Sequence, residues 1–247
     1  MENLSDSTPR QNRVENLVII QARMGSTRLP GKSMLKIGEK FLIEHVLDRA
    51  IAIQADKRIA IATTYLQEDD VLANFINENY SVDVFRGDPL DVRSRFASLA
   101  LKYEPVNIVR LTADDPFKDP RLSEDAIKNL TDYGYEYVSN FALPCLPIGL
   151  DVEAFTVEAF KDSLTRFQDN QNIEHVTLAL RNSGHYKTNT LTYTSNLSDF
   201  RLTIDYPEDL EKCRKIYQAL LEGEMQNVFD FETTCAVVQK AKEMGII

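Results

Sequence analysis

The chain has 247 residues, 43% hydrophobic and 27% charged, and carries a formal net charge of −10. That length suits one α/β domain with an ample core. The acidic balance argues against generic nucleic-acid binding, and no apolar run approaches the ~20 residues needed to span a bilayer. Cys145, Cys213 and Cys235 are odd in number, widely spaced and without CxxC pairing. They argue against a disulfide framework or zinc site and for reduced thiols in the cytoplasm.

Residues 1–15 are polar and lack the apolar core of a signal peptide, so they read as a flexible tail ahead of a single domain, 16–247. Leu17 to Ala22 reads as a buried strand. A helix is expected over Phe41 to Ile53, where Leu42, Val46, Leu47 and Ala50 recur at helical spacing. Lys57 to Thr63 reads as a strand, Glu68 to Asn79 as a helix, and Ser81 to Phe85 as a short strand ended by Gly87, Asp88 and Pro89. Asp91 is the expected N-cap of a helix reaching Tyr103, and Asn107 to Thr112 is the next strand. Alternating strands and helices imply a mostly parallel sheet with right-handed crossovers and helices on both faces, a three-layer Rossmann-like α/β sandwich. The loops after Ala22, Thr63, Phe85 and Thr112 then open onto one edge, where such sheets bind ligands.

The second half is less regular. Strands are expected over Tyr135 to Ser139 and Leu150 to Phe155, around the proline-rich "NFALPCLPIG". Helices follow over Val157 to Phe167 and Ile173 to Arg181, then strands over Tyr186 to Tyr193 and Phe200 to Ile204. Pro207 opens a last helix with acids beside it. This half reads as a smaller inserted or appended subregion of the same domain.

Three stretches can carry chemistry. The loop after Ala22 gathers Arg23, Arg28 and Lys32 with Gly25, Gly31, Ser26 and Thr27. Its backbone amides and cations suit a polyphosphate, although the pattern also fits an exposed turn with solvated charges. Five residues separate its two glycines, so it is not a GxxxxGK[ST] loop. Asp114 and Asp115 follow a buried strand in "RLTADDPF". Acids placed there hold Mg²⁺ well, or they cap the next helix. Asp205 repeats the arrangement of strand, acid and proline in "RLTIDYPEDLE", and is either a second metal ligand or an N-cap. His45 lies within a helical pattern and reads as a packed or surface residue; His175 faces either a substrate pocket or solvent. No serine sits in GxSxG and no cysteine has a histidine at a recognisable spacing.

Taken in order, "IIQARMGSTRLPGKSML", "IAIATT", "FRGDPLDVRSRF", "VRLTADDPFKDP", "SNFALPCLPIGLDVEAFT", "EHVTLALRN" and "RLTIDYPEDLE" resemble the cytidylyltransferase superfamily of acylneuraminate and 3-deoxy-manno-octulosonate enzymes, in particular its spore-coat polysaccharide branch. The resemblance runs from Leu17 to Leu221. It implies a nucleotide-diphospho-sugar transferase type of fold, transfer of CMP from CTP to an acidic sugar with release of pyrophosphate, a Mg²⁺ cofactor and a homodimer whose subregion serves acceptor binding or dimerisation. On this resemblance Ala22, Arg23, Gly25, Ser26, Arg28 and Lys32 fall on the triphosphate loop, with Thr63 and Asp88 near base and ribose. Arg23, Lys32, Asp114 and Asp205 take the catalytic positions, the two aspartates holding the metal. Asn140, Asp151, Glu174 and His175 face the acceptor or a dimer partner. Ala113-Asp114-Asp115-Pro116 stands where the octulosonate enzymes carry Gly-Asp-Glu-Pro, a difference that bears on the sugar rather than on nucleotidyl transfer. A phosphorylated small-molecule acceptor, or a nucleotide-binding homologue without catalysis, remain alternatives.

Overall fold

The structure is a computed structural model that describes residues 14–141, 146–168, 173, 175–193, 197–222, 238–239, 241–243 and 245. Cys145, Glu174, Cys235 and most of the expected tail lie outside the described residues. Val14 and Glu15, placed in the tail from sequence, are instead tied down. Val106 N donates to Val14 O at 3.1 Å and Asn107 N to Glu15 O at 3.0 Å.

Four parallel strands form the heart of the fold: β1 (Asn16–Gln21), β4 (Lys57–Thr64), β5 (Asp83–Gly87) and β6 (Asn107–Thr112). Strands β2 (Lys36–Ile37) and β3 (Lys40–Phe41) make a separate small hairpin. The main sheet is completed by β7 (Tyr137–Ser139), β8 (Glu153–Thr156) and β9 (Thr188–Thr190), in the order β5-β4-β1-β6-β8-β7-β9. Only β8 runs against its neighbours.

The side chains of β1 alternate between two cores. Val18 and Ile20 pack with α1 (Leu42–Ala52), α4 (Pro120–Tyr133) and the helix Pro207–Glu222. Leu17 and Ile19 pack with α3 (Val92–Tyr103) and α5 (Val157–Arg166) on the other face. All four residues are fully buried, so β1 is apolar on both sides, as a central parallel strand must be. The chain steps outward from β1 to β4 and β5, the latter step through α2 (Asp70–Asn79), then returns past β1 to β6. The sheet order therefore reverses between β1 and β6, and the crevice beyond their carboxyl ends is the expected ligand site.

The second half departs from the sequence expectations. The strand expected over Phe200 to Ile204 is a single bridge between Ile148 and Arg201. Its amides and carbonyls go to loops instead: Ile148 N to Phe200 O at 2.9 Å, Leu202 N to Ile148 O at 2.7 Å, and Ile204 N to Asp114 O at 2.9 Å. Of the helix expected over Ile173 to Arg181, Ile173 is helical, His175 to Thr177 form a bend and turn, and Leu178–Asn182 form a separate short helix, while β9 covers three residues of Tyr186 to Tyr193. Tertiary contact overrides the local pattern in each of these segments.

Gly149 makes the Phe200–Ile204 connection possible. Its φ is +105°, and a Cβ there would lie 2.7 Å from Thr203 N and 2.9 Å from Leu202 C. Gly149→Ala should cost about 1–3 kcal/mol of stability, measured by urea denaturation, because both the backbone conformation and the close approach are denied to alanine.

Candidate active site

The loop after β1 folds back on itself around Met24. Met24 O accepts from Ser26 N at 2.8 Å and Gly31 N at 2.9 Å, and Ser33 Oγ donates to Arg23 O at 3.3 Å. Gly31, at φ +72°, turns the chain into a short 3₁₀ segment, Lys32–Met34. Asp69, fully buried, anchors the loop from below. It accepts from Met24 N at 2.6 Å and from both the amide and the hydroxyl of Thr64 at the end of β4. Gly25 leaves room for a neighbour, since a Cβ would stand 2.4 Å from Glu68 Oε1.

Lys32 reaches from this loop to the other two stretches. Its Nζ donates to Asp114 Oδ2 at 2.9 Å, Asp205 Oδ1 at 3.1 Å and Ile204 O at 2.8 Å. Arg28 donates to Asp205 Oδ1 at 2.6 Å and lies over the Tyr206 ring, 5.0 Å from its centroid. Arg201 pairs with Asp205 Oδ2 and with Asp209. Burial pushes the Asp205 carboxyl up, but Lys32, Arg201 and Arg28 outweigh it and hold it below the ordinary aspartate value.

Neither acid caps a helix. The helix Pro207–Glu222 is capped by Asp209, whose Oδ2 accepts from Asp205 N at 2.9 Å and Tyr206 N at 3.0 Å. Helix α4 is capped by Asp119, which accepts from Arg121 N at 2.9 Å. The side chains of Asp114 and Asp205 are thereby left for the cleft.

That cleft, about 210 Å³, is lined by Ala22, Arg23, Ser26, Thr27, Arg28, Lys32, Asp114 and Asp205 among the residues singled out from sequence, joined by Gln21, Ser33, Thr112 and Ala113. It sits at the β1–β6 reversal of the sheet. Arg23 is exposed and has no ion-pair partner among the described residues.

Other expected residues lie elsewhere. Thr63 is fully buried within β4, and Asp88 accepts from Leu90 N and Asp91 N in the turn after β5; neither lines the cleft. Asn140 is buried and braces the chain by bonding Leu150 O and Val152 N, each at 3.0 Å. His175 is exposed just ahead of the helix Leu178–Asn182, to whose Leu178 N its carbonyl is bonded at 2.7 Å. His45 is packed: its Nε2 bonds Ile37 O at 2.9 Å, and its ring meets Tyr217 edge-on at 4.9 Å.

A second, narrower cleft of about 60 Å³ adjoins the first through Thr112. Asp151 lines it, with Arg110, Asp115, Lys118, Phe141 and Glu153. Arg110 pairs with Glu153, which also accepts from Tyr137 at 2.7 Å and from Thr177. Burial pushes Glu153 up, but Arg110 and these hydroxyls bring it below the ordinary glutamate value. Asp115 pairs with Lys118 at 2.9 Å and accepts from Thr112 Oγ1 at 2.7 Å. Burial still pushes the Asp115 carboxyl up to about 6. Sequence reasoning missed Arg110, Glu153 and Lys118. The first two are charged residues inside buried strands, and that exception to the strand pattern was the available signal.

The anchoring role of Asp69 is directly testable. Asp69→Asn replaces one acceptor oxygen by a donor facing donors, so stability should fall by about 1–3 kcal/mol in urea denaturation. Hydrogen exchange at the Met24 amide should speed up in parallel.

Comparison with known proteins bears on this arrangement. The spore coat polysaccharide biosynthesis protein SpsF of Bacillus subtilis (strain 168) is 36% identical over 214 residues, covering 82% of this chain and 86% of SpsF. A 3-deoxy-manno-octulosonate cytidylyltransferase from Syntrophotalea carbinolica is 30% identical over 114 residues, 46% of this chain and 44% of its own. The solved structure of a cytidylyltransferase from Leptospira borgpetersenii serovar Hardjo-bovis superposes with a TM-score of 0.84 at 27% identity, covering 95% of this chain and 97% of that one. The cytidylyltransferase family model matches residues 17–232, and with the cation-lined loop and paired aspartates at the sheet reversal, the chain belongs to the cytidylyltransferase family, enzymes that transfer a nucleotidyl group from CTP.

Proposed function

We propose that the enzyme transfers CMP from CTP to a hydroxyl of an acidic sugar, releasing pyrophosphate, and so activates that sugar for a surface polysaccharide. The observation that carries this reading is the convergence of Lys32, Asp114 and Asp205 beneath a loop that offers Arg23, Arg28 and several amides. The names of the relatives support the sugar: one belongs to polysaccharide biosynthesis and another acts on 3-deoxy-manno-octulosonate.

The donor set fits a hard divalent cation. Two carboxylate oxygens and one carbonyl oxygen lie within 2.8–3.1 Å of a single point, the Lys32 Nζ. Asp114 and Asp205 would hold Mg²⁺. When bound, the ion neutralises phosphate charge and lowers the pKa of a nearby hydroxyl. The chain's own work is positioning and charge. Arg23, Arg28 and Lys32 bind the phosphates and stabilise the negative charge gathering on departing pyrophosphate. Backbone amides of the loop hold the triphosphate in line, while Asp69 keeps that loop fixed.

The narrow cleft is proposed as the acceptor side, since it meets the nucleotide cleft at Thr112 beside Asp114. Its two cations are already paired, Arg110 with Glu153 and Lys118 with Asp115, and Asp151 adds a third acid. Such a lining suits a hydroxyl-rich acceptor with one carboxylate better than a phosphorylated one, which would add charge where both cations already have partners. Function as a homodimer and a cytoplasmic location complete the reading; residues 142–145 of the segment expected at a dimer contact lie outside the described residues. Among the described residues no helix is long and apolar enough to cross a membrane.

The test is pyrophosphate release from CTP and Mg²⁺ with 3-deoxy-manno-octulosonate or N-acetylneuraminate. Turnover with either acceptor supports the reading; CTP binding with no turnover on any sugar acid sinks it. Asp114→Asn should lower kcat by about 10²–10³-fold with the fold intact by circular dichroism. Arg110→Met should raise the acceptor KM and leave CTP affinity, followed by thermal shift, unchanged; an altered CTP affinity would remove Arg110 from the acceptor side.

A further inference from the structure

An ammonium occupies the point on which the proposed metal ligands converge. Lys32 Nζ uses its three N–H donors on Asp114, Asp205 and the carbonyl of Ile204, so its hydrogen bonding is complete. Its side chain is only 13% exposed, which distinguishes it from a passing surface contact. Lys32 is also the ion-pair partner of Asp114 among the described residues, whereas Asp205 has Arg28 and Arg201 as well.

Charge balance gives this geometry a consequence. The connected cluster holds three cations, Arg28, Lys32 and Arg201, and three carboxylates, Asp114, Asp205 and Asp209. A divalent cation added alone would enter a balanced cluster a few ångström from a lysine that already holds its ligands, and like charges that close repel strongly in a partly buried site. A triphosphate changes both conditions. It brings several negative charges, and it offers oxygens to which the flexible four-carbon stem of Lys32 can move its ammonium.

We infer that Lys32 is the resident cation of the free enzyme, closing the two-aspartate site to metal until the phosphates of the nucleotide draw it off. Metal and nucleotide are therefore taken up together, and the same lysine that shuts the site becomes a phosphate ligand once it opens. The inference rests on the proposal that Asp114 and Asp205 hold the metal, and the experiment separates the two.

The probe is Mn²⁺, followed by electron paramagnetic resonance in titrations of the full-length, metal-free protein without nucleotide. Lys32→Met should bind Mn²⁺ at least about tenfold more tightly than wild type, since the competing charge is gone. Lys32→Met/Asp114→Asn should lose that gain. Lys32→Gln, which keeps a donor but no charge, should behave like Lys32→Met and provides a second variant if the first folds poorly. Saturating Mn²⁺ should raise the melting temperature of either single variant and leave wild type unmoved. Equal Mn²⁺ affinity in wild type and Lys32→Met overturns the inference and leaves the metal proposal standing. Lys32 variants that take up no Mn²⁺, or uptake that survives Asp114→Asn, overturn both.

Discussion

A single ammonium holds together the three parts of the chain that make the cleft. Lys32 lies 82 residues before Asp114 and 173 before Asp205, and its Nζ contacts both. Such a contact can form only where the backbone has already brought the segments together, and two constraints do that. The parallel pairing of β1 with β6 aligns Gln21 with Thr112, so the loops that follow emerge side by side. The bond from Ile204 N to Asp114 O then seats the third segment against the second. With these in place, two partly buried acids and one lysine satisfy one another, and none is left as an uncompensated charge.

The supporting residues are polar groups that hold backbone. Asp69 braces the phosphate loop through Met24 N and the end of β4. Asp209 takes the amides of Asp205 and Tyr206 just ahead of the last helix and so leaves the carboxylate of Asp205 for the cleft. Arg201 bridges Asp205 and Asp209, linking the cap to the site. Gly149 admits Thr203 at a distance no side chain would permit. A loop held in advance in this way loses little further freedom when a ligand arrives, and this is how a shallow crevice becomes a precise binding site.

The narrow cleft beside it is organised differently. Arg110 and Glu153 face each other across the β6–β8 pair, in register, with Tyr137 and Thr177 completing the glutamate's hydrogen bonds. Strand β8 is the antiparallel strand of the main sheet as described, and its insertion between β6 and β7 puts Glu153 there. The irregular half of the chain thus contributes Phe141, Asp151 and Glu153 to the narrow cleft, as it contributes Asp205 to the larger one.

Much of the fold was legible in the sequence because its causes are local. A short apolar run such as Leu17–Ile20, followed by a glycine- and proline-containing loop, reads as a strand buried on both faces, and the alternation of such runs with helical spacing implies a parallel sheet. The loop cations and the two strand-acid-proline patterns at Asp114 and Asp205 were visible for the same reason: each is a short motif at the end of an apolar run. What the sequence left open was the partner of each group. Asp114 and Asp205 read equally well as helix caps until Asp119 and Asp209 were seen in those roles. Phe200–Ile204 has the composition of a strand, yet its backbone bonds go to loops at Ile148 and Asp114. Thr63 and Asp88 lie on the expected segments but outside the cleft. Composition and spacing determine which elements form and which residues reach the ligand edge. Which lysine meets which aspartate depends on strand order and register, set by packing between residues far apart in the chain, and only the tertiary structure decides it.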